Sequence, residues 1–307
     1  MNKFWAVVVL FGVLGVTAAQ AALKPFVAGV PRAGSLEEVA AQLDIAASGA
    51  GFELVGRLAP GPEALVLAFT HPELKRQAAM TPRGGYGAVV RVGLTATPSG
   101  VVPVWTSLTY QAVAYRMGSA LGGLSDAFDR AMGGGQPFGA EGFQEKDLAG
   151  YRYGFGMETF GESYDLGDYP SHEAAVRAIE ANLARQAGGV GKVYRVDIPG
   201  TQQTVFGVSL HPENPHEANE NWLLGRIDDG QQRRWAWLPY EILVRGNKAE
   251  ALHLRYRLAL FFPGIRMTGN GPNFMSLRDS PDAVQSVLRT ASGGRLAANL
   301  DAPVWAQ

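Results

Sequence analysis

Apolar and polar residues alternate in short runs along most of this chain, and glycine or proline separates the runs. In Phe52–Leu58 the alternation has the two-residue period of a strand with one buried face. Ala64–Phe69 is uniformly apolar, which predicts a strand covered on both faces. Helical spacing of apolar residues follows Ser35, which opens an S-x-x-E capping box that ends at Glu38. These patterns predict strands joined by tight turns, with helices between pairs of strands.

The same reasoning assigns the remaining elements. Turn residues around an alternating or apolar run indicate a strand, and a cap or a proline before helical spacing indicates a helix start. The predicted further strands are Phe26–Val30, Ala88–Ala96, Val101–Thr106, Tyr151–Met157, Val193–Ile198, Val205–Leu210, Leu238–Val244 and Ala251–Phe262. The predicted further helices are a short one from Pro72, Leu108–Met132, one capped by Ser171, Asn221–Arg226 and Asp279–Thr290.

One block of sequence occurs twice, as Phe52–Glu73 and as Val193–Glu213. Both copies predict a strand, a turn and a strand, and both end in His-Pro-Glu. The order of the neighbouring elements also repeats, which indicates an internal duplication. Chance agreement between two ordinary segments is the alternative. We predict an α+β fold of two similar two-layer units, with helices on one face of a mostly antiparallel sheet.

The predicted units are residues 22–132 and 151–293, separated by a glycine-rich linker at 133–150. Residues 294–307 are predicted to be a loosely held tail. Residues 1–21 have the layout of a signal peptide, with Lys3, an apolar run over Phe4–Val16 and an A-x-A site at Ala19–Ala21. A membrane anchor is the alternative, but the apolar run is shorter than the roughly 20 residues of a spanning helix. We therefore expect a periplasmic or secreted protein.

Composition narrows the classes of function. Hydrophobic residues make up 47% of the 307-residue chain, and the formal net charge is −1. The charge balance gives no electrostatic footprint for nucleic acid or for an anionic membrane surface. The chain has no cysteine, which excludes disulfides, thiol nucleophiles, thiolate metal sites and a lipid-modified cysteine.

Three segments resemble the domain of unknown function 302 family and its longer, exported relatives: Val66–Leu74, Val104–Met117 and Leu238–Val244. In that family a strand runs into an N-P-x-L-like helix start, and His71 stands where the family usually has Asn. The resemblance implies a compact α+β fold and self-association. It implies no activity, because the family has no agreed chemistry and fold alone does not assign function.

Two histidines occupy equivalent places where a strand meets a helix. His71 precedes Glu73 and His211 precedes Glu213, so each pair could serve metal binding or acid–base chemistry. A helix start stabilised by the glutamate at the helix dipole is the structural alternative. The wider set His211, Glu213, His216 and Glu217 has the residue types of a zinc site, but it lacks H-E-x-x-H and can equally be a solvated loop.

Cationic residues provide a second group of candidates. On the predicted strand Ala251–Phe262, His253, Arg255 and Arg257 share one face and could hold a carboxylate or phosphate. A solvated sheet face is the alternative. Arg116 and Arg266, each followed by methionine, would occupy equivalent points of the two units and could line a pocket between them. Packing of their aliphatic stems over apolar surface is the alternative.

Several catalytic and nucleotide-binding motifs are missing from the sequence. There is no G-x-S-x-G, and the glycines at 133–135 and 188–191 lack the strand-to-helix context of a nucleotide loop. We expect a non-catalytic module, without a cofactor, that binds a small anionic ligand or a protein partner and can form a homo-oligomer. The alternative is a metal-assisted hydrolase in which His211, Glu213 and His216 hold zinc or manganese and Arg255 and Arg257 clamp an anionic substrate. A purely structural assembly partner is a third class.

Overall fold

The computed structural model of this protein describes residues 22–213, 215–228, 230 and 232–293. The predicted signal peptide and tail lie outside these ranges. The strands are β1 (Phe26–Ala28), β2 (Glu53–Gly61), β3 (Ala64–Thr70), β4 (Val89–Thr97), β5 (Gly100–Thr106), β6 (Gln136–Phe138), β7 (Ser163–Asp168), β8 (Val190–Ile198), β9 (Gln203–Leu210), β10 (Tyr240–Arg245) and β11 (Lys248–Leu252).

The α-helices of the described ranges are α1 (Leu36–Gly49), α2 (Pro72–Ala78), α3 (Leu108–Ala114), α4 (Gly122–Ala131), α5 (Glu145–Ala149), α6 (His172–Ala184), α7 (Glu220–Ile227), α8 (Leu254–Phe261) and α9 (Ser280–Ser292). Ser35 caps α1 through the predicted capping box with Glu38, and Ser171 caps α6. Within the part of the chain that the structure describes, no helix is both long and apolar enough to cross a membrane.

The strands form two antiparallel sheets, so the α+β prediction is confirmed. The first sheet has the order β2-β3-β4-β5-β1-β6, and the second, read from β8, has the order β8-β9-β10-β11-β7. The first five strands therefore match one for one, and α1 to α4 take the same places in the chain order as α6 to α9. This correspondence is what a duplication predicts, while common ancestry of the two units stays a prediction.

The side chains of β3 show how the layers are arranged. Leu65, Leu67 and Phe69 point into a cluster that α1 and α4 cover. Val66 and Ala68 point the other way, into a larger cluster shared with the second sheet. Because successive strand residues face opposite sides, β3 is buried on both faces, as the uniformly apolar run predicts. Each sheet thus carries helices on its outer side, and the inner sides meet.

The strands β2 and β8, each at one end of its sheet, lie against each other. A Cβ atom at Gly56 of β2 would lie 2.5 Å from the carbonyl oxygen of Val193 in β8. Such a distance is shorter than any real contact, so only glycine allows this approach. Close by, the Asn221 side chain donates to the Pro60 carbonyl at 2.7 Å.

Three sequence predictions of secondary structure are wrong. The predicted helix Leu108–Met132 is two helices, because Arg116 and Leu121 adopt left-handed φ angles of 54° and 57° that end one helix and precede the next. The predicted strand Tyr151–Met157 is irregular. Tyr151 and Tyr153 pack without strand partners, and their hydroxyls donate to the carbonyls of Ala259 and Ile265 at 3.1 and 2.9 Å, whereas Phe155 is exposed.

The third error is the strand Ala251–Phe262. The hairpin itself exists, but β11 ends at Leu252 and the helix α8 begins at Leu254. His253 caps that helix by accepting from the Arg255 amide at 3.3 Å. Alternation of polar and apolar residues misled the prediction because α8 is buried almost all round, so polarity does not mark an exposed face.

The segment 133–150, predicted as a linker, contains regular structure. Its strand β6 adds to the first sheet by pairing with β1, and the helix α5 follows. Leu23 also pairs with Phe143 through mutual backbone hydrogen bonds of 2.8 Å. The segment is therefore folded onto the first sheet.

Candidate functional site

Three arginines converge on a cavity between the two units, which we call the junction pocket. Its volume is about 330 Å³, and it is lined by Thr81, Pro82, Arg83, Tyr115, Arg116, Phe160, Gly161 and Arg245. Residues 81–83 connect α2 to β4, and residues 115–116 end α3. Residues 160–161 precede β7, and Arg245 ends β10. The pocket exists only where the two units meet.

Arg83 is anchored to the second unit. Its Nε lies 2.7 Å from Oε1 of Glu250, a buried residue of β11. Its two terminal nitrogens donate to the Phe160 carbonyl at 2.8 Å and to the Ser163 hydroxyl at 3.1 Å. Arg245 shares the same carboxylate through a 3.4 Å contact. Among the described residues, the Glu250 carboxylate thus contacts two guanidinium groups. Arg116 adds a third guanidinium group to the lining of the pocket.

Arg116 is the exposed member of the group. It ends α3 in the left-handed conformation, with φ 54°. Its Nε donates to the Ala149 carbonyl at 3.0 Å, and its guanidinium lies 5.6 Å from the centre of the Phe160 ring. A non-glycine residue in this region carries backbone strain, and such residues concentrate at functional sites. Arg116 lines the pocket from this strained position.

The pocket wall is fixed by a glutamine of the second sheet. Gln203 donates to the Thr81 carbonyl at 2.9 Å and accepts from the Gly85 amide at 3.2 Å. A Cβ atom at Gly85 would lie 2.5 Å from a methyl carbon of Leu243, so glycine lets this turn sit directly on β10. The wall is held in place before any ligand arrives.

Aromatic rings form the floor of the pocket. Tyr115 stacks on Phe160 with ring centres 5.6 Å apart, and Tyr86 packs against both rings. Burial raises the pKa of Tyr115 to about 12, so this phenol is neutral at pH 7. A neutral floor beneath cationic side chains suits a ligand with an anionic group and an apolar part. Guanidinium groups bind carboxylates and phosphates by charge-assisted hydrogen bonds.

A buried ion pair lies behind this floor. Arg91 of β4 contacts Glu241 of β10 at 3.1 Å, and both side chains are at most 1% exposed. Tyr194 donates its hydroxyl to the same carboxylate at 2.9 Å. Burial by itself would lower the pKa of Arg91, but Glu241 and nearby tyrosines raise it above its ordinary value. Arg91 is therefore charged, and it links the two units.

Sequence reasoning missed Arg83, Arg245, Arg91 and Glu241. For the buried pair a signal exists, because Arg91 interrupts an apolar strand and Glu241 interrupts another. A lone charge in an apolar strand usually requires a buried partner. Arg83 lies in the connection between α2 and β4, and Arg245 is the last residue of β10 before a turn, so neither carries a comparable signal.

The predicted row of cations is not formed. Because α8 is a helix and not a strand, Arg257 points away from His253 and Arg255. Arg255 and His253 both contact Glu158, with 3.0 Å from Arg255 Nε and 3.3 Å from His253 Nε2. Arg257 turns into the core, where it donates to the carbonyls of Trp237 and Pro239 at 2.8 and 3.2 Å.

The two equivalent histidines have different surroundings. His71 caps α2, with Nδ1 accepting from the Glu73 amide at 3.0 Å, which is the structural alternative for this position. His211 lies with its Nε2 3.4 Å from Oε1 of Glu220. Burial lowers the pKa of both imidazoles. Among the described residues, His211 thus lies beside a carboxyl group, and sequence reasoning missed this partner, Glu220.

Glu220 is a buried carboxyl at the start of α7. It accepts from the Leu210 amide at 3.0 Å, and its side chain is 1% exposed. Burial raises its pKa to about 8, so it is mostly protonated at pH 7. A protonated carboxyl can donate to His211 Nε2.

The proposed metal ligands are not assembled. His216 contacts Glu217 at 3.5 Å and packs on Trp222, whereas His211 turns to Glu220. Glu213 is exposed. Across the described ranges, no three histidine or acidic residues lie close enough to hold a metal ion. The expectation that the protein has no cofactor stays a prediction from the sequence.

Arg116 and Arg266 do not share one pocket. Arg266 lines a separate cavity with Phe262, Arg234 and the loop after α8. The sequence prediction placed both arginines in one pocket between the units, whereas the structure places them in two cavities.

Neither a protein-family model nor a curated protein matches this chain. The resemblance to the domain of unknown function 302 family stays a prediction from its motifs.

Proposed function

We propose that this protein is a non-catalytic binding module that holds a small anionic ligand in the junction pocket. The observation that carries the proposal is the convergence of Arg83, Arg116 and Arg245 above an aromatic floor. Glu250 balances one of these charges and orients Arg83 and Arg245. A ligand carboxylate or phosphate would balance the others.

The shape of the pocket supports a ligand of modest size. A volume of about 330 Å³ lies at the lower end of the range for small-molecule sites. The rings of Tyr115 and Phe160 offer an apolar surface, and the guanidinium groups offer donors. We therefore infer a carboxylate or phosphate ester with an aromatic or aliphatic body. Export by the predicted signal peptide belongs to the same proposal and places binding outside the cytoplasm.

Calorimetry with benzoate, phenyl phosphate and sulfate tests the proposal. We expect benzoate or phenyl phosphate to bind and to raise the melting temperature, because a ligand of the native state stabilises it. Arg116→Gln and Arg245→Gln should each weaken binding about tenfold or more, since a hydrogen bond to a charged group contributes about 1.5–3 kcal/mol. Arg83 is unsuitable for this test because its loss would leave Glu250 buried without its closest partner.

Arg57→Gln is the matched control, because Arg57 is a partly exposed arginine that pairs with Glu37 away from the pocket. It should leave affinity unchanged. The proposal fails if none of these anions binds, or if Arg116→Gln and Arg245→Gln bind them as the wild type does.

A further inference from the structure

A second cavity lies beside the elements of the second unit that correspond to those lining the junction pocket in the first unit. This cavity, the distal pocket, has a volume of about 350 Å³ and is lined by Phe262, Arg266, Gln232, Arg234, Asn270 and residues around them. In the first unit the connection after α2 meets the end of α3. In the second unit the connection after α7 meets the end of α8, and α7 and α8 correspond to α2 and α3.

The other unit closes each pocket. Phe160 and Arg245 of the second unit complete the junction pocket. Phe138 and Gly139, at the end of strand β6 in the first sheet, complete the distal pocket. Both cavities therefore lie across the junction of the two units.

The arginines of the distal pocket are arranged similarly to those of the junction pocket. In the distal pocket Arg234 is anchored to buried Asp228 at 3.2 Å, as Arg83 is anchored to Glu250. The Arg234 guanidinium lies 4.5 Å from the centre of the Phe262 ring. Arg266 is exposed, like Arg116, and no acidic side chain of the described residues forms an ion pair with it. Each cavity thus has an anchored guanidinium, Arg83 or Arg234, and an exposed one, Arg116 or Arg266, while the junction pocket also has Arg245.

The distal pocket differs from the junction pocket in its amide side chains. Gln232 and Asn270 supply both donors and acceptors, whereas among the described residues Thr81 is the only uncharged polar aliphatic side chain lining the junction pocket. Asn270 lies on a loop that Asn273 fixes by donating to the Gly269 and Gly271 carbonyls at 2.9 and 2.8 Å. The Asn270 amide is therefore presented from a loop that hydrogen bonds hold in place.

We propose that the distal pocket is a second ligand site, for a small carboxylate that also carries a hydroxyl or amino group. Arg266 binds the carboxylate, and Gln232 and Asn270 bind the neighbouring polar group. This inference does not depend on the function proposed for the junction pocket, because the two cavities share no lining residue.

Calorimetry with L-malate and L-serine, alongside benzoate, tests the proposal. Arg266→Gln and Asn270→Ala should each weaken binding of L-malate or L-serine, by about tenfold for the arginine, and leave benzoate affinity unchanged. Both residues are exposed, so the variants should fold. Arg278→Gln is the control, because Arg278 is exposed and pairs only with its neighbour Asp279 among the described residues.

The outcomes separate the two sites. Loss of malate or serine binding in Arg266→Gln, with Arg116→Gln unaffected, supports the distal site even if the junction pocket binds nothing. The inference is overturned if neither L-malate nor L-serine binds. It is also overturned if Arg266→Gln binds them as tightly as Arg278→Gln.

Discussion

Tyr110 and Tyr256 make the same contact in opposite directions. The Tyr110 hydroxyl donates to the carbonyl of Leu260 at 2.6 Å, and the Tyr256 hydroxyl donates to the carbonyl of Ala114 at 3.4 Å. Leu260 lies four positions after Tyr256, and Ala114 lies four positions after Tyr110. Both carbonyls belong to the last turn of a helix, where they lack an intrahelical partner. The helices α3 and α8 therefore cap each other across the junction.

The two tyrosines should differ in their contribution to stability. We expect Tyr110→Phe to lower the free energy of unfolding by about 1–2 kcal/mol, because it leaves a buried carbonyl without its donor. Tyr256→Phe should cost less, since its hydrogen bond is longer. Urea denaturation measures both changes. Equal costs, or a larger cost for Tyr256→Phe, would contradict the prediction.

The pair Arg91 and Glu241 should be strongly coupled. Arg91→Met alone leaves the Glu241 carboxylate buried with only the Tyr194 hydroxyl, and should cost about 3–5 kcal/mol. The double variant Arg91→Met with Glu241→Leu should recover most of that loss, because it removes both buried charges. A double-mutant cycle from denaturation curves measures the coupling. If the stability costs of the two single variants add up to that of the double variant, Arg91 and Glu241 contribute no coupling energy between the units.

The backbone conformation at Arg116 should make a glycine variant more stable than an alanine variant. Both Arg116→Gly and Arg116→Ala remove the guanidinium, so both should weaken benzoate binding equally. Glycine adopts the left-handed φ of 54° without strain, whereas alanine does not. Arg116→Gly should therefore be about 1 kcal/mol more stable than Arg116→Ala. Thermal and chemical denaturation of the two unliganded variants checks this, and equal stabilities would mean that the conformation is unstrained.

The raised pKa of Glu220 should make stability fall with increasing pH. Its folded-state pKa of about 8 exceeds the ordinary value of 4.5 because the carboxyl is buried. The native state then holds the proton more tightly than the unfolded state between these values. The stabilisation is complete below about pH 4.5 and is lost as pH rises through about 8.

Glu220→Gln should remove this slope, since glutamine does not titrate. The free energy of unfolding between pH 5 and 9 measures it. His211 and Arg257 are the charged or titratable groups that bear on Glu220, so they stay unchanged in the test. Glu217→Gln, the same substitution at a nearby less buried glutamate, should retain the slope. A slope that persists in Glu220→Gln would assign it to another group.

Export with signal cleavage predicts a defined amino terminus for the mature protein. If the apolar run is a cleaved signal, the protein recovered from outside the cytoplasm begins at Ala22, after the A-x-A site. Intact-mass spectrometry reads this directly. A protein that retains Met1 and stays with the membrane would favour the anchor instead.

Local patterns predicted much of this fold because they reflect local physics. The capping box at Ser35 and the covered strand at Ala64–Phe69 are each decided by neighbouring residues. The end of β11 was missed because His253 is an uncommon cap and α8 has no polar face. Comparison of His253-Leu254-Arg255-Tyr256 with Ser107-Leu108-Thr109-Tyr110 would have corrected it, because Ser107 caps the equivalent helix.

The junction pocket could be predicted only in part. Arg116 was identified from its repeated context, but its partners Arg83 and Arg245 come from different units. Their proximity depends on how two sheets pack, and no short-range pattern encodes that distance. The distal pocket was not predicted, because Arg266 was assigned to the same pocket as Arg116, and Gln232 and Asn270 lie in loops.

The contact of β2 with β8 has a consequence for the isolated halves. Each of these edge strands covers part of the other's row of free backbone donors and acceptors, which would otherwise recruit a strand from another molecule. A fragment ending before β7 would expose that row and should form aggregates. If the fragment with β2 and the fragment with β8 are produced together, they should instead assemble with each other. A protease cut between residues 139 and 144 should therefore leave the two halves associated, so that they elute together in gel filtration.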